Sequence, residues 1–332
     1  MKKYDLTNNT VVISRTDSIG DVVLTLPICA WLKETYAGIK IIFLGRSYTK
    51  DVVECYPLID QIEFWDKWME KPKSEQLNYL QSLKVDAFFH IFPNKQIAQL
   101  VKQAKIPLRI GTSHRVFHWT TCNVKPNFTR KNSEFHEAQL NFELLRNFGI
   151  KNLPTFDQLF NYLSSFTPKL PLNSFLKDKI NTDKKKVILH TKSQGSAVEW
   201  PLEKYIELSL KLVKDNYKVY FSGTEKEGLL FREYLPKNED IIDISGKSTL
   251  GEFITFIHKA DVLIACSTGP LHLAAILNIK AIGLFSELRP MHPGRWRPLG
   301  KNIEILSKKN SQPKLTDIND ITVEEVYKKI LN

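Results

Sequence analysis

Short apolar runs alternate with longer segments whose apolar residues recur at helical spacing, and the alternation continues along the chain. Residues 11–14 form an apolar run, 22–36 an amphipathic segment and 39–44 a second apolar run, which predicts strand, helix and strand. Strands at 62–65, 87–91 and 108–111 and helices at 74–83 and 96–104 continue the series. Residues 114–131 carry few periodic signals and are expected to be loop. Residues 134–148 have apolar positions at helical spacing and stop at Gly149, the residue type that most readily takes the left-handed turn closing a helix. Between 161 and 186 the periodicity lapses around Pro168, Pro171 and the run Asp183-Lys184-Lys185-Lys186, which reads as a connection between domains.

The second half repeats the pattern, with strands at 187–190, 218–222, 241–243, 262–265 and 281–285. Helices are expected at 201–215, 225–234, 250–259 and 271–277, and a last one at 322–331. Strand and helix in alternation give parallel sheets with helices on both faces. The predicted class is α/β with two Rossmann-like β/α/β domains: residues 1–165, a linker at 166–186, residues 187–315, and a segment 316–332 whose helix is expected to pack back on the first domain. No period of about 20–50 residues recurs, which argues against a solenoid.

At 332 residues, 42% hydrophobic and 25% charged, the chain can fill two sizeable cores. Its four cysteines, Cys29, Cys55, Cys122 and Cys266, are far apart and form no C-x-x-C, so buried reduced thiols in a cytosolic setting are expected. The opening residues are too short for a signal-peptide core, and no apolar run approaches the ~20 residues of a membrane span. Neither export nor membrane integration is expected. The net charge of +11 points to a phosphorylated substrate, nucleic acid or an anionic membrane face. Between Ala87 and Ser133 there is no acid, while Lys95, Lys102, Lys105, Arg109, Arg115, Lys125, Arg130 and Lys131 accumulate beside His90, His114 and His118. A solvated basic face is the plain explanation, and the interleaved Phe92, Phe117, Trp119 and Phe128 would also suit nucleic acid. Without a helix-turn-helix, RRM or KH signature, nucleic acid is not expected and an anionic small or lipid-linked acceptor is preferred. Arg115, Arg130 and His136 are chosen as acceptor contacts on charge alone.

Candidate chemistry lies at strand ends. The first loop, Arg15-Thr16-Asp17-Ser18-Ile19-Gly20-Asp21, has one glycine, and Arg46 rather than an acid follows the second strand, which disfavours a nicotinamide dinucleotide. Asp21 stands where that loop becomes helix, either as a functional carboxylate at the sheet edge or as an acid stabilised by the helix dipole. In the second half, Ser267-Thr268-Gly269-Pro270 breaks strand into helix, with Ser267 or Thr268 as cap and Pro270 in the first turn, and its free N–H groups make an anion seat. Arg289, His292, Arg295, Arg297 and Lys301 follow with no acid between Glu287 and Glu304, so a phosphate-bearing ligand is expected. The polar loop His190-Thr191-Lys192-Ser193-Gln194-Gly195-Ser196 either holds a diphosphate through hydroxyls, N–H groups and Lys192 or is simply solvated. No D-x-D or metal-ligand cluster occurs, so no metal is expected.

The segment S-T-G-P-L-H-L-A-A (267–275), followed by a strand, L-F-S-E-L-R-P (284–290) and a Gly/Arg-rich loop, resembles the nucleotide-sugar half of glycosyltransferase family nine. S-I-G-D-V-V-L-T-L-P (18–27) resembles the family's opening motif. The resemblance implies GT-B architecture, two Rossmann-like domains facing a central cleft. It implies a metal-independent inverting glycosyltransferase that moves heptose from ADP-heptose to a lipopolysaccharide core acceptor. Asp21 would be the general base, with Ser18 and Gly20 of the same motif toward the acceptor. On the donor side the resemblance matches Thr268 and Gly269, and His272 either as part of that match or as a packed histidine, and it puts Glu227 on the ribose with Glu225 as second choice. Ser267 and the polar-loop residues Thr191, Lys192 and Ser193 are taken as donor contacts beside them. Arg289 and Arg295 would meet phosphate or sugar. The chain departs from the family at Val198, where K-x-W-P has its lysine, and at Ser267, where many members carry aspartate. Lys192, Arg295 or Arg297 would then supply the missing charge. Beyond the nucleotide-sugar cosubstrate no cofactor is implied. The setting implied is the cytoplasm, with peripheral contact at the inner membrane admitted. The rivals are a member using another nucleotide sugar, a GT-B-type nucleotide-sugar epimerase, and a non-catalytic basic binding protein.

Overall fold

A computed structural model describes residues 4–131, 133–310 and 314–331. The chain divides into two units that meet in sequence at Phe166 and Thr167. The first carries a parallel sheet of β1 (Thr10–Ser14), β2 (Lys40–Gly45), β3 (Gln61–Phe64), β4 (Ala87–His90) and β5 (Leu108–Ile110), in the order β3-β2-β1-β4-β5. Residues on both sides of the central strands are buried, which is why these segments are apolar throughout rather than alternating. Val12, Ile42, Leu44 and Phe88 pack with Trp65, Trp68, Leu100 and Val101 into one core cluster.

The second unit has six parallel strands: β6 (Lys185–His190), β7 (Tyr217–Ser222), β8 (Ile241–Asp243), β9 (Val262–Cys266), β10 (Lys280–Phe285) and β11 (Ile303–Ser307). Their order is β11-β10-β9-β6-β7-β8. In each sheet the order reverses beside the unit's first strand, between β1 and β4 and between β6 and β9. Such a switch point is where ligands of open α/β sheets bind, outside the carboxyl ends of the strands. Register makes those ends level: Ser14 pairs with His90, and His190 with Ala265. Gly283 of β10 lets the helix Gly269–Ile276 lie close on the sheet, since a Cβ there would come within 2.9 Å of Leu271 Cδ2.

The α/β class holds, and several elements depart from expectation. The helix expected over 22–36 is two, Ile19–Val23 and Leu26–Thr35, because Pro27 has no N–H to continue the first. The basic stretch expected to be loop contains the helix Val116–Thr121. The segment 225–234 keeps only one short turn, Glu225–Gly228, before a 3-10 turn at Arg232–Tyr234. The expected linker contains the helix Ser174–Ile180, started by the Asn173 side chain accepting from Leu176 N at 3.0 Å. The edge strand β11 was not anticipated, its apolar residues being few and interrupted by Glu304. The terminal helix, Val323–Leu331, buries Val323, Val326 and Ile330 in the core of the second unit. The helix expected over 134–148 is the α-helix Glu137–Phe142 followed by a 3-10 segment, Glu143–Phe148, and it is the latter that Gly149 closes at φ +120°. No helix among the described residues is long and apolar enough to cross a membrane.

His90 ends β4 with its ring 1% exposed and neither nitrogen partnered among the described residues. Burial, then His118 and Arg109, push its pKa down from 6.5 to about 3. The folded chain therefore keeps this ring neutral while the unfolded chain protonates it below pH 6.5. Stability is full above that pH and falls as pH drops toward 3, by up to ~1.4 kcal/mol per pH unit. His90→Phe is expected to show a shallower acid loss in urea unfolding between about pH 7 and pH 4.5, whereas an unchanged slope would assign the acid sensitivity to other groups.

Candidate functional site

Arg15 leaves β1 with its N–H on Leu44 O at 3.0 Å and a side chain only 3% exposed. A buried guanidinium requires counter-charge and filled hydrogen bonds. Its Nε donates to Asp17 Oδ1 at 2.7 Å, Nη2 donates to Asp21, and Nη1 reaches Glu137 Oε1 at 3.1 Å and Asn141 Oδ1 at 3.3 Å. Burial alone would lower the pKa of Arg15, but Asp17, Asp21 and Glu137 reverse this and raise it. Burial raises the Asp17 carboxyl, with Asp21 and Glu137 adding to the effect and Arg15 opposing it. Ser18 Oγ donates to the second carboxylate oxygen of Asp21, so both oxygens are held. The Asp21 side chain remains 14% exposed, and its backbone oxygen accepts from Thr25 Oγ1 at 2.8 Å.

Glu137 and Asn141 lie one turn apart on the helix Glu137–Phe142. Arg130 closes the network from the other side, donating to Glu137 Oε1 at 2.9 Å and Asn141 Oδ1 at 2.8 Å. Of the acceptor candidates, Ser18 and Arg130 join this network, and Gly20 is buried inside the helix that carries Asp21. His136 is 1% exposed and caps its helix, with Nδ1 accepting from Ala138 N at 3.2 Å. Arg115 stands exposed at the start of the helix Val116–Thr121 and shares no hydrogen bond with the network. Arg15, Asp17, Glu137 and Asn141 were not among the site residues read from sequence. Their signal was a polar pair at helical spacing, Glu137 and Asn141, on a face otherwise lined by Leu140 and Leu144.

In the second unit, the loops after β6 and β9 leave adjacent strands at one level. Thr191 and Thr268 are 2% and 5% exposed, and neither hydroxyl finds a partner among the described residues. Thr268 is the N-cap residue of Gly269–Ile276 by backbone geometry, yet its side chain makes no cap bond, and Pro270 sits in the first turn. Ser267 precedes it, and His272 is buried one turn on. Lys192 Nζ meets Glu199 Oε2 at 3.1 Å, and Ser193 N and Oγ donate to Glu199 Oε1 at 2.8 and 2.9 Å. Glu199 is a further residue that sequence reasoning passed over. His190 Nδ1 lies 3.1 Å from Ser222 Oγ, and burial lowers its pKa despite Glu227 and Glu199 nearby.

Glu227, the acid chosen for a ribose, is 5% exposed and accepts from Thr224 N at 2.6 Å and Thr224 Oγ1 at 2.9 Å in a capping box. Glu225, the second choice, is held by both terminal nitrogens of Arg232. Arg295 lies on the short helix Pro293–Trp296 with its guanidinium 4.9 Å from the Trp296 ring centroid, and Trp296 Nε1 donates to Pro290 O at 2.8 Å, next to Arg289. Among the described residues no group of three or more His, Cys, Asp or Glu is placed to hold a metal ion.

The model of Glycosyltransferase family 9 (heptosyltransferase) matches residues 94–322. The chain belongs to this family. It is a glycosyltransferase, and the resemblance to the family is borne out. A Haemophilus influenzae protein provisionally named a glycosyltransferase is 28% identical over 87% of this chain and 86% of its own length. Lipopolysaccharide heptosyltransferase 1 of Campylobacter coli is 23% identical over 95% of each chain. Among solved structures, the E. coli ADP-heptose lipopolysaccharide heptosyltransferase II superposes with a TM-score of 0.78 over 97% of both chains at 17% identity. Its fold is shared, and the two Rossmann-like units are those of the GT-B class.

The Arg15 network also carries stability. Removing the guanidinium takes one of two arginines from Glu137, itself 1% exposed, and the shared counter-charge from Asp17 and Asp21. Arg15→Met is expected to cost about 3–5 kcal/mol in urea unfolding; a loss below about 1 kcal/mol would mean that water reaches the carboxylates and screens them.

Proposed function

We propose that this family 9 enzyme moves heptose from ADP-heptose to a lipopolysaccharide core acceptor with inversion, Asp21 acting as general base. The observation that carries the proposal is the carboxylate of Asp21, part-exposed at a switch point and held by Arg15 on one oxygen and Ser18 on the other. A base fixed in one rotamer needs no search for its proton, so positioning supplies much of its effect. The acceptor hydroxyl gives its proton to Asp21, and its oxygen bonds to the anomeric carbon. The bond from that carbon to the diphosphate oxygen breaks on the opposite face, and its electron pair leaves with ADP.

Charge developing on the leaving diphosphate is met by the N–H groups at Thr268-Gly269, by the hydroxyls of Thr191, Ser193, Ser267 and Thr268, and by Lys192, Arg289 and Arg295. His272 supports that helix turn, and Glu227 takes the ribose by exchanging its capping-box bonds. No metal takes part. Residues 1–165 bind the acceptor and 187–315 the donor. The relatives named for lipopolysaccharide and for ADP-heptose support this donor and acceptor class. An anionic, lipid-linked saccharide suits the acid-free stretch from Ala87 to Ser133, with Ser18, Gly20, Arg115, Arg130 and His136 on the acceptor side. The enzyme would then work in the cytoplasm, in peripheral contact with the inner membrane. Val198 and Ser267, which depart from the family pattern, favour another nucleotide sugar as the second reading.

Calorimetry with a panel of nucleoside diphosphates and nucleotide sugars, on wild type and Asp21→Asn, tests both. ADP and ADP-heptose are expected to bind the two proteins alike, with transfer falling about 10²–10⁴-fold in the variant. Preference for another base would replace the donor, and full activity of Asp21→Asn would remove Asp21 as base.

A further inference from the structure

The loop after β6 holds an anion of its own. The Glu199 carboxylate takes an ammonium from Lys192 at 3.1 Å, the Ser193 N–H at 2.8 Å and the Ser193 hydroxyl at 2.9 Å. One cation, one backbone N–H and one hydroxyl are the donors with which loops of this kind hold a phosphate oxygen. We propose that Glu199 sets the affinity of the donor site by competing, through its carboxylate, with the donor's phosphate for Lys192 and Ser193. The proposal rests on the assignment of this loop to the donor diphosphate.

Three observations support competition. Glu199 cannot drift from the loop, because Trp200 beside it is anchored: its N–H donates to Cys266 Sγ at 3.3 Å and its indole Nε1 to Ile321 O at 2.9 Å. Gln194 and Gly195 turn the loop with φ of +50° and +80°, and Gly195 N donates to Ser193 Oγ at 3.2 Å, so the backbone curls around Ser193. The ion pair is accessible, with Lys192 21% and Glu199 32% exposed, so an anion arriving from solvent can exchange with the carboxylate. The buried hydroxyls of Thr191 and Thr268, without partners among the described residues, lie at the ends of the two neighbouring strands and point independently to a hydrogen-bonding guest there. With Val198 in place of the family's lysine, Lys192 is the one cation between His190 and Trp200, and Glu199 neutralises it.

Glu199→Gln keeps the shape and removes the charge. By calorimetry it is expected to bind ADP and inorganic pyrophosphate about tenfold more tightly than wild type, with adenosine unchanged. In a Lys192→Met background the gain should shrink, because the contested cation is gone. Glu199→Ala, which cannot rebuild the contact through an amide, should tighten ADP in the same direction. Unchanged or weaker ADP binding in both Glu199 variants, with melting temperatures near wild type, would overturn the proposal and leave Glu199 as a builder of the loop. If wild type and variants all ignore ADP and pyrophosphate, the donor assignment falls and takes this proposal with it.

Discussion

Where a parallel sheet reverses its strand order, the two connections leave in opposite directions and the carboxyl ends of the adjacent strands stay uncovered by helix. Both units of this chain place their polar machinery at that point. Beside β1 it is Arg15 to Asp21, and beside β6 and β9 it is Thr191 to Glu199 together with Ser267 to Gly269. The apolar strands impose this placement. Because both faces of β1, β4, β6 and β9 are buried, a polar side chain can leave the core only where a strand ends.

The two sites solve the same electrostatic problem at different depths. Arg15 is almost fully enclosed, so its charge demands several carboxylates and a carboxamide in fixed geometry, and the helix Glu137–Phe142 must be docked to provide two of them. Such a network cannot exchange partners cheaply, which suits a group that has to be held in one place. Lys192 and Glu199 are part-exposed, where an ion pair contributes little and exchanges readily. That suits the exchange of the carboxylate for a phosphate proposed above.

The fold was largely legible because parallel strands buried on both faces write themselves as uninterrupted apolar runs. Ten of the strands have the length and flanking turns that such runs predict, and the edge strand β11 does not, because half-exposed Ile303, Ile305 and Leu306 are spaced by Glu304. Misjudged helices share a cause. Pro27 inside an apolar periodicity, or a short helix such as Val116–Thr121 with an exposed Val116 and Trp119, gives a pattern whose meaning depends on what it packs against. The motif residues Asp21, Thr268 and Gly269 stand out locally because a turn needs their chemistry. Arg15, Glu137 and Asn141 do not, since their partnership spans more than 120 residues and exists only once the helix is docked.

The departures at Val198 and Ser267 look in sequence like losses of charged groups from a donor site. The geometry gives them a different sense. A lysine at 198 would stand next to Glu199 and add a second cation to a loop that already holds Lys192. With valine there, one cation and one carboxylate balance within the loop, and Val198 instead packs against the core cluster that contains Trp200 and Tyr205. An aspartate at 267 would bring a second carboxylate to the end of β9, level with the loop where Glu199 already supplies one. Serine keeps a hydroxyl there and adds no carboxylate. On the proposed donor site, the two departures and Glu199 form one charge arrangement: Lys192 and Glu199 supply in the loop the two charges that Val198 and Ser267 do not, and Ser193 and Lys192 remain as donors for an anion.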